Sequence, residues 1–210
     1  MYLSRIELDE KNRETMRALA SPQIIHGAVE KSIGGERERN LWRIDRLGEK
    51  CFLLILSHSE PNLAGIAKQF GWDGDTGESK DYDRLLAKIE EGQRLRFRLR
   101  ANPIRSISRA AERKPGKVHA HVTTEQQRQW LIVKAEKHGF SVAPDEFDVL
   151  DTRWFRFEKH RGAGEKVTIR TATFEGMVTV TNADLFREAL TDGIGKAKAY
   201  GCGLLTVIGK

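Results

Sequence analysis

Proton transfer near neutral pH needs a side chain that titrates there, and this chain of 210 residues offers six histidines: His26, His58, His119, His121, His138 and His160. An imidazole can take or give a proton at that pH, the work of a general acid or base. No His/Asp pairing or pair of carboxylates is spaced as a metal set would be. Cys51 lies in an apolar run and Cys202 between two glycines, too few and too poorly spaced for a zinc site or a disulfide framework. No metal and no cofactor is therefore expected. A lone helical histidine such as His26 is, by its type alone, more often a surface or boundary residue than a catalyst, and both readings stay open at this level.

The second chemistry on offer is the binding of anions. Between Gln93 and Lys117 stand seven arginines and two lysines against one acid, Glu112. That is an excess of eight positive charges, so the rest of the chain nets −2 of the total of +6. Charge concentrated this way suits a polyanion such as nucleic acid; the alternative is a solvated charged face. Arg96, Arg98 and Arg100 alternate with Leu95, Phe97, Leu99 and Ala101, which places the three arginines on one face of a strand. Arg105, Arg109, Arg113, Lys114 and Lys117 continue the row toward a Pro115-Gly116 turn, with His119 and His121 nearby. A solvated edge strand is the competing account of Arg96 and Arg98. Near the C-terminus, Gly193 to Gly203 resembles a glycine loop that lets backbone N–H groups approach an anion, with Gly195 inside it and Lys196 and Lys198 adding charge. Its glycines serve tight packing in the alternative reading. The GxxxxGK[ST] spacing is absent, so a nucleoside triphosphate is not expected. Trp154-Phe155-Arg156-Phe157 either stacks a base or is a strand with one buried face.

The elements that must position these residues follow from periodicity and punctuation. Tyr2–Leu8 reads as a strand, and residues 12–20 as a helix. Ser21-Pro22 restarts a helix that runs to about Ser32 and ends at Gly34-Gly35. Leu41–Asp45 and Lys50–Ser57 form a hairpin about Gly48. Pro61 opens a helix to about Phe70, residues 73–80 read as a mobile loop, and 81–89 as further helical turns closed by Gly92. The second half repeats the order. A strand spans Arg94–Ala101, and a helix capped at Thr123 or Thr124 runs to about His138. Strands follow over 142–150, 154–158 and 167–181, the last two joined near Gly162 and Gly164. A helix from about Asn182 to Thr191 and a strand over 203–208 close the chain. Each half reads as βαββαβ, the last strand of the first half being the faintest. The expected fold class is α+β, two tandem ferredoxin-like (RRM-like) domains, residues 1–90 and 91–210. No apolar run approaches the roughly 20 residues that span a membrane. The N-terminal stretch lacks a signal peptide's apolar core, so a cytoplasmic protein is expected.

Three motifs carry a family resemblance: Met1-Tyr2-Leu3-Ser4-Arg5-Ile6, Phe97-Arg98-Leu99-Arg100-Ala101-Asn102-Pro103, and the run Gly193-Ile194-Gly195-Lys196 to Gly201-Cys202-Gly203-Leu204-Leu205. Together with Leu41-Trp42-Arg43 followed by Asp45, and Phe174-Glu175-Gly176, they closely resemble the CasE (Cse3) family, the repeat-RNA endoribonucleases of type I-E CRISPR systems. The resemblance implies two ferredoxin-like domains and metal-independent cleavage at the base of a CRISPR repeat stem-loop, with the product kept in the Cascade complex beside its other subunits. It implies that His26 is the catalytic histidine and that the basic hairpin grips the stem. Lys31, at the end of the same helix, reads either as an electrostatic helper or, more often for its type, as a solvated lysine. RNA supplies its own nucleophile, the 2′-hydroxyl, so a 2′,3′-cyclic phosphate and a 5′-hydroxyl are the expected ends. The family often places a tyrosine three residues before this histidine. Here that residue is Gln23, which can orient a group but cannot ionise like a phenol. A non-catalytic RNA-binding subunit of a ribonucleoprotein is the alternative function.

Overall fold

A computed structural model describes residues 1–34, 39–109, 114–158 and 166–209; within 106–109 and 114–118 it describes the backbone alone. The first sheet begins with β1 (Tyr2–Leu8), whose alternate residues Ser4, Ile6 and Leu8 turn inward. Asn12 caps α1 (Arg13–Ala20) by accepting from the Glu14 N–H. Ser21 stands at the next N-cap without a side-chain bond, and Pro22 starts α2 (Pro22–Ser32), where its missing N–H costs nothing. Strands β2 (Leu41–Leu47) and β3 (Lys50–Ser57) turn at Gly48-Glu49, Gly48 having φ +62°. Helix α3 (Ala64–Phe70) and β4 (Glu78–Asp81) complete an antiparallel sheet of order β2-β3-β1-β4. Its core packs Ile6, Leu53 and Ile55 against Ala18, Ile25 and Val29 of the helices.

After the single turn α4 (Asp83–Leu86), β5 (Arg94–Ala101) opens the second sheet. Strands β6 (Ile104–Arg109) and β7 (Lys114–Ala120) form a separate hairpin. Then follow α5 (Thr124–Lys137), β8 (Phe140–Ser141), β9 (Phe147–Glu158), β10 (Lys166–Val180), α6 (Ala183–Asp192), a 3₁₀ turn at Lys198–Tyr200 and β11 (Leu205–Ile208). A reciprocal Thr123–Gln126 capping box starts α5. The order is β11-β5-β10-β8, with β9 also on β10. Leu95, Phe97 and Leu99 of β5 pack with Phe174 beneath Trp130, Leu131, Phe186 and Leu190. The α+β, twice-repeated ferredoxin-like arrangement is thus the fold of this chain.

Three local expectations are corrected and one competing account, that of an edge strand at β5, is excluded. Residues 78–81, read as the end of a loop and the start of a helix, are β4, an edge strand on β1; the Ser4 and Ser79 hydroxyls lie 2.8 Å apart and Arg5 pairs with Glu78. Residues 147–158 are one strand where two were expected. The polar triplet Asp151-Thr152-Arg153 continues the ladder, and Leu150 is the extra residue of a bulge opposite Thr173/Phe174. Strand β5 lies inside its sheet, between β11 and β10, and is not an edge. Pro115 and Gly116 belong to β7: Arg109 pairs with Lys114, so residues 110–113, outside the described residues, make the connection. The connection about Gly162 and Gly164 is also outside them.

The two sheets are bolted together through β2 and its neighbour β3. Leu41 and Leu56 of the first belong to the buried cluster of the second. Between these, the fully buried Arg43 uses all five N–H bonds. Nε and one Nη donate to the two Asp45 carboxylate oxygens at 2.7 and 2.6 Å, the latter also to Thr206 Oγ1 at 2.8 Å. The other Nη donates to the Arg98 and Leu204 carbonyls, each at 2.8 Å. Every proton of a buried guanidinium is thereby matched, the condition under which burying charge is tolerated.

Candidate functional site

Helix α2 turns Pro22, Ile25, Ala28, Val29 and Ser32 inward, which leaves His26 half-buried at the margin of that face. Its Nδ1 is enclosed and has no hydrogen-bond partner among the described residues. Gln23 is half-buried one turn earlier, and Lys31 is exposed in the last turn. The 3₁₀ turn at Lys198–Tyr200 packs on both α2 and β2. The glycine-rich segment is therefore carried against the helix of His26, although the two are about 170 residues apart in sequence.

Packing accounts for most of the glycines in that segment. A Cβ on Gly201 (φ +74°) would lie 2.6 Å from the Trp42 ring, and one on Gly193 2.8 Å from the Gly203 carbonyl oxygen. Gly195 (φ +86°) rests on Trp130, where a Cβ would meet the ring at 3.2 Å. Substituting Gly201→Ala is expected to destabilise the protein by more than about 1 kcal/mol, since both the backbone and the ring oppose it. Thermal unfolding of the variant tests this, and an unchanged midpoint would show that the loop yields at no cost. Lys198 donates to the Asp192 carbonyl at the end of α6, a helix-terminal role; burial and the nearby Arg39 lower its pKa, opposed by Asp192. Lys196 is exposed.

The arginine row shares one face, as its alternation predicts, but the three residues meet different fates. Arg96 pairs with Glu175 at 2.7 Å and is largely exposed. Arg98 also pairs with Glu175, at 2.8 Å, and lies 3.8 Å from Asp45. Arg100 lies over the Phe155 ring, 5.0 Å from its centroid. Arg105 is exposed beside His119 in the hairpin register. The side chains of Arg109, Lys114 and Lys117, and all of Arg113, lie outside the described residues. His121 is partly buried, and burial followed by the Arg105 charge lowers its pKa. His58 is exposed, His138 Nδ1 meets the Lys134 carbonyl, and His160 lies outside the described residues. In the aromatic run, Phe157 is buried edge-on against Tyr200, whereas Trp154 is half-exposed beneath Arg170.

Asn102 donates to the Arg170 carbonyl at 2.6 Å, tying the end of β5 to β10. Trp42, Phe155 and Arg153 gather with Arg100 around a cleft that no single stretch of sequence announces. The alternation of β9 does mark Arg153 and Phe155 as sharing a face. Both thiols are sealed, which pushes Cys51 and Cys202 each up to about 11. Among the described residues, no helix is long and apolar enough to cross a membrane.

Two βαββαβ sheets in tandem, with a histidine-bearing helix against a glycine-rich turn, define a double ferredoxin-like protein. A family model described as CRISPR associated protein matches residues 1–208. The CRISPR-associated endoribonuclease Cse3 of Thermus thermophilus is 28% identical over 220 residues, 99% of each chain. The CRISPR system Cascade subunit CasE of Escherichia coli is 31% identical over 126 residues, 57% of this chain and 60% of that one. A solved structure of CRISPR endoribonuclease Cse3 bound to 19 nt RNA has a TM-score of 0.81 at 27% identity, covering 99% of this chain and 100% of the other. The chain belongs to the CasE/Cse3 family of CRISPR-associated proteins.

Proposed function

We propose that this protein is a metal-independent, site-specific endoribonuclease that cleaves the stem-loops of CRISPR repeats in precursor RNA. The observation that carries the reading is the end-to-end likeness to Cse3, an endoribonuclease whose fold is solved with RNA bound. The 2′-hydroxyl beside the scissile phosphate gives its proton to water as it attacks phosphorus, a 2′,3′-cyclic phosphate forms, and the bond from phosphorus to the 5′-oxygen breaks as that oxygen takes up a proton. His26 moves that proton through Nε2, because its Nδ1 is enclosed. Lys31, exposed on the same helix, adds positive charge near the phosphate. Arg105, Arg109, Arg113, Lys114 and Lys117 of the hairpin, with Lys196, fix the stem by its phosphates, while A-form shape selects duplex RNA. Arg96 and Arg98 serve chiefly to hold β5, β10 and β2 together through Glu175 and Asp45.

The mature guide RNA stays bound, in company with other Cascade subunits in the cytoplasm. A slow enzyme is compatible with that outcome, since each molecule needs to cut once. The division into residues 1–90 and 91–210 separates the strands of the first sheet from those of the second.

The test is cleavage of the repeat RNA in excess EDTA, followed by end-group analysis. Full activity and a 2′,3′-cyclic phosphate are expected. Cleavage that stops with chelator, or leaves a 5′-phosphate, would overturn the mechanism; no cleavage under any condition would favour a purely RNA-binding subunit.

A further inference from the structure

A cleft of about 300 Å³ opens where α2 and β2 of the first sheet face β5, β9 and the 3₁₀ turn of the second. Among the described residues its walls carry four arginines, and all but one are matched. Arg46 pairs with Glu10 at 2.5 Å, Arg153 with Asp151 at 2.9 Å, and Arg98 with Glu175. Arg100 has no carboxylate or carbonyl within bonding distance among the described residues, and its charge rests on the face of Phe155. Burial, reinforced by Arg153, lowers the Arg100 pKa, and Cys202 with the cleft-lining Asp151 and Asp45 opposes it. A partly desolvated guanidinium without an anion is costly. Stacking on a ring fixes its plane and leaves its N–H edge free to fork onto a phosphate. The Trp42 side chain, only 2% exposed, lines the same cleft, and its indole N–H is enclosed without a partner among the described residues.

The size and position of the cleft narrow the ligand. About 300 Å³ is at the small end of binding pockets and admits one nucleotide but no duplex. Pro22 and Ile25, on the helix that carries His26, form part of its wall, and so does Tyr200 of the glycine-rich segment. We infer that this cleft is a subsite for one unpaired nucleotide of the RNA strand that continues beyond the base of the stem, with its phosphate on Arg100. The inference rests on the RNA-processing reading above and adds to it a site for the single-stranded flank.

Fluorescence anisotropy with two RNAs tests it: a repeat stem-loop ending flush at the base of the stem, and the same stem-loop with two unpaired nucleotides on each side and a 2′-deoxy sugar at the scissile position, which prevents cutting. Wild type should bind the extended RNA about tenfold more tightly, the value of one charge-assisted contact. Arg100→Gln should erase that preference and leave the flush stem-loop's affinity unchanged. Arg100→Lys, which keeps the charge and the bulk of the side chain but loses the fork, should retain part of it. The salt dependence for the extended RNA should flatten by about 0.7 in slope with Arg100→Gln. Equal weakening of both RNAs would make Arg100 a stem contact, and an intact preference in both variants would empty the cleft of RNA; either result overturns the subsite. Failure of wild type to bind either RNA would instead overturn the function beneath it, and the subsite with it.

Discussion

Replacing His26 with alanine is expected to slow single-turnover cleavage of a repeat stem-loop by about 10²–10⁴-fold, the usual worth of a positioned acid or base, and to leave RNA affinity intact. The size of the loss follows from what stands around the imidazole. One ring nitrogen is enclosed without a partner among the described residues, which leaves the other as the route for proton transfer. Gln23, one turn away, has an amide that cannot ionise as a phenol would, so it offers no second proton carrier. Whatever rate survives in the variant comes from the geometry of the 2′-hydroxyl and from positive charge near the phosphate. Rate and affinity should be measured on the same RNA, because a variant that merely fails to bind would also fail to cut. Undiminished cutting by tight-binding His26→Ala would remove the imidazole from the mechanism.

The largest stability effect is expected at Arg43. Arg43→Leu strips both oxygens of the buried Asp45 of their strongest partner, removes the Arg43 donor from the Leu204 carbonyl, and leaves the Arg98 carbonyl the weaker contact from the Thr206 hydroxyl at 3.4 Å. Breaking a buried pair from one side typically costs about 3–5 kcal/mol, which for a chain of this length lowers the melting temperature on the order of 10 °C. Adding Asp45→Leu should restore part of that loss, because the stranded carboxylate is then gone. The effect should also reach function, since Leu204 directly follows the glycine-rich segment that packs on α2. A calorimetric scan of the single and double variants decides the matter. A single variant that melts with wild type would mean that the two sheets are held by their apolar contact alone.

Much of this architecture is legible in the order of residues, and the parts that are not share a cause. The alternation of Leu95, Phe97, Leu99 and Ala101 with arginines marks β5 because a strand's period is local. Ser21-Pro22 and Thr123 mark helix starts for the same reason. Strand β4 escapes because Glu78-Ser79-Lys80-Asp81 has no apolar face; its partners Ser4 and Arg5 stand more than 70 residues away. The pairing of Arg96 and Arg98 with Glu175 is hidden by a similar distance, so the row reads as free charge. His26 is one histidine among six until the motifs elsewhere in the chain single it out through a family resemblance, and the enclosure of its Nδ1 is set by three-dimensional packing. The cleft at Arg100 draws on both halves of the chain and belongs to neither pattern.

The fourth strand has a further bearing on how the molecule behaves among its own copies. A sheet's outermost strand offers unpaired amides to any passing chain, a standing invitation to polymerise. Here one margin of the first sheet is four residues long, and its Glu78, Lys80 and Asp81 would have to shed water before a stranger could align with them. The opposite margin, β2, lies under the 3₁₀ turn. Ladder growth is thus discouraged on one side by hydration and on the other by a roof.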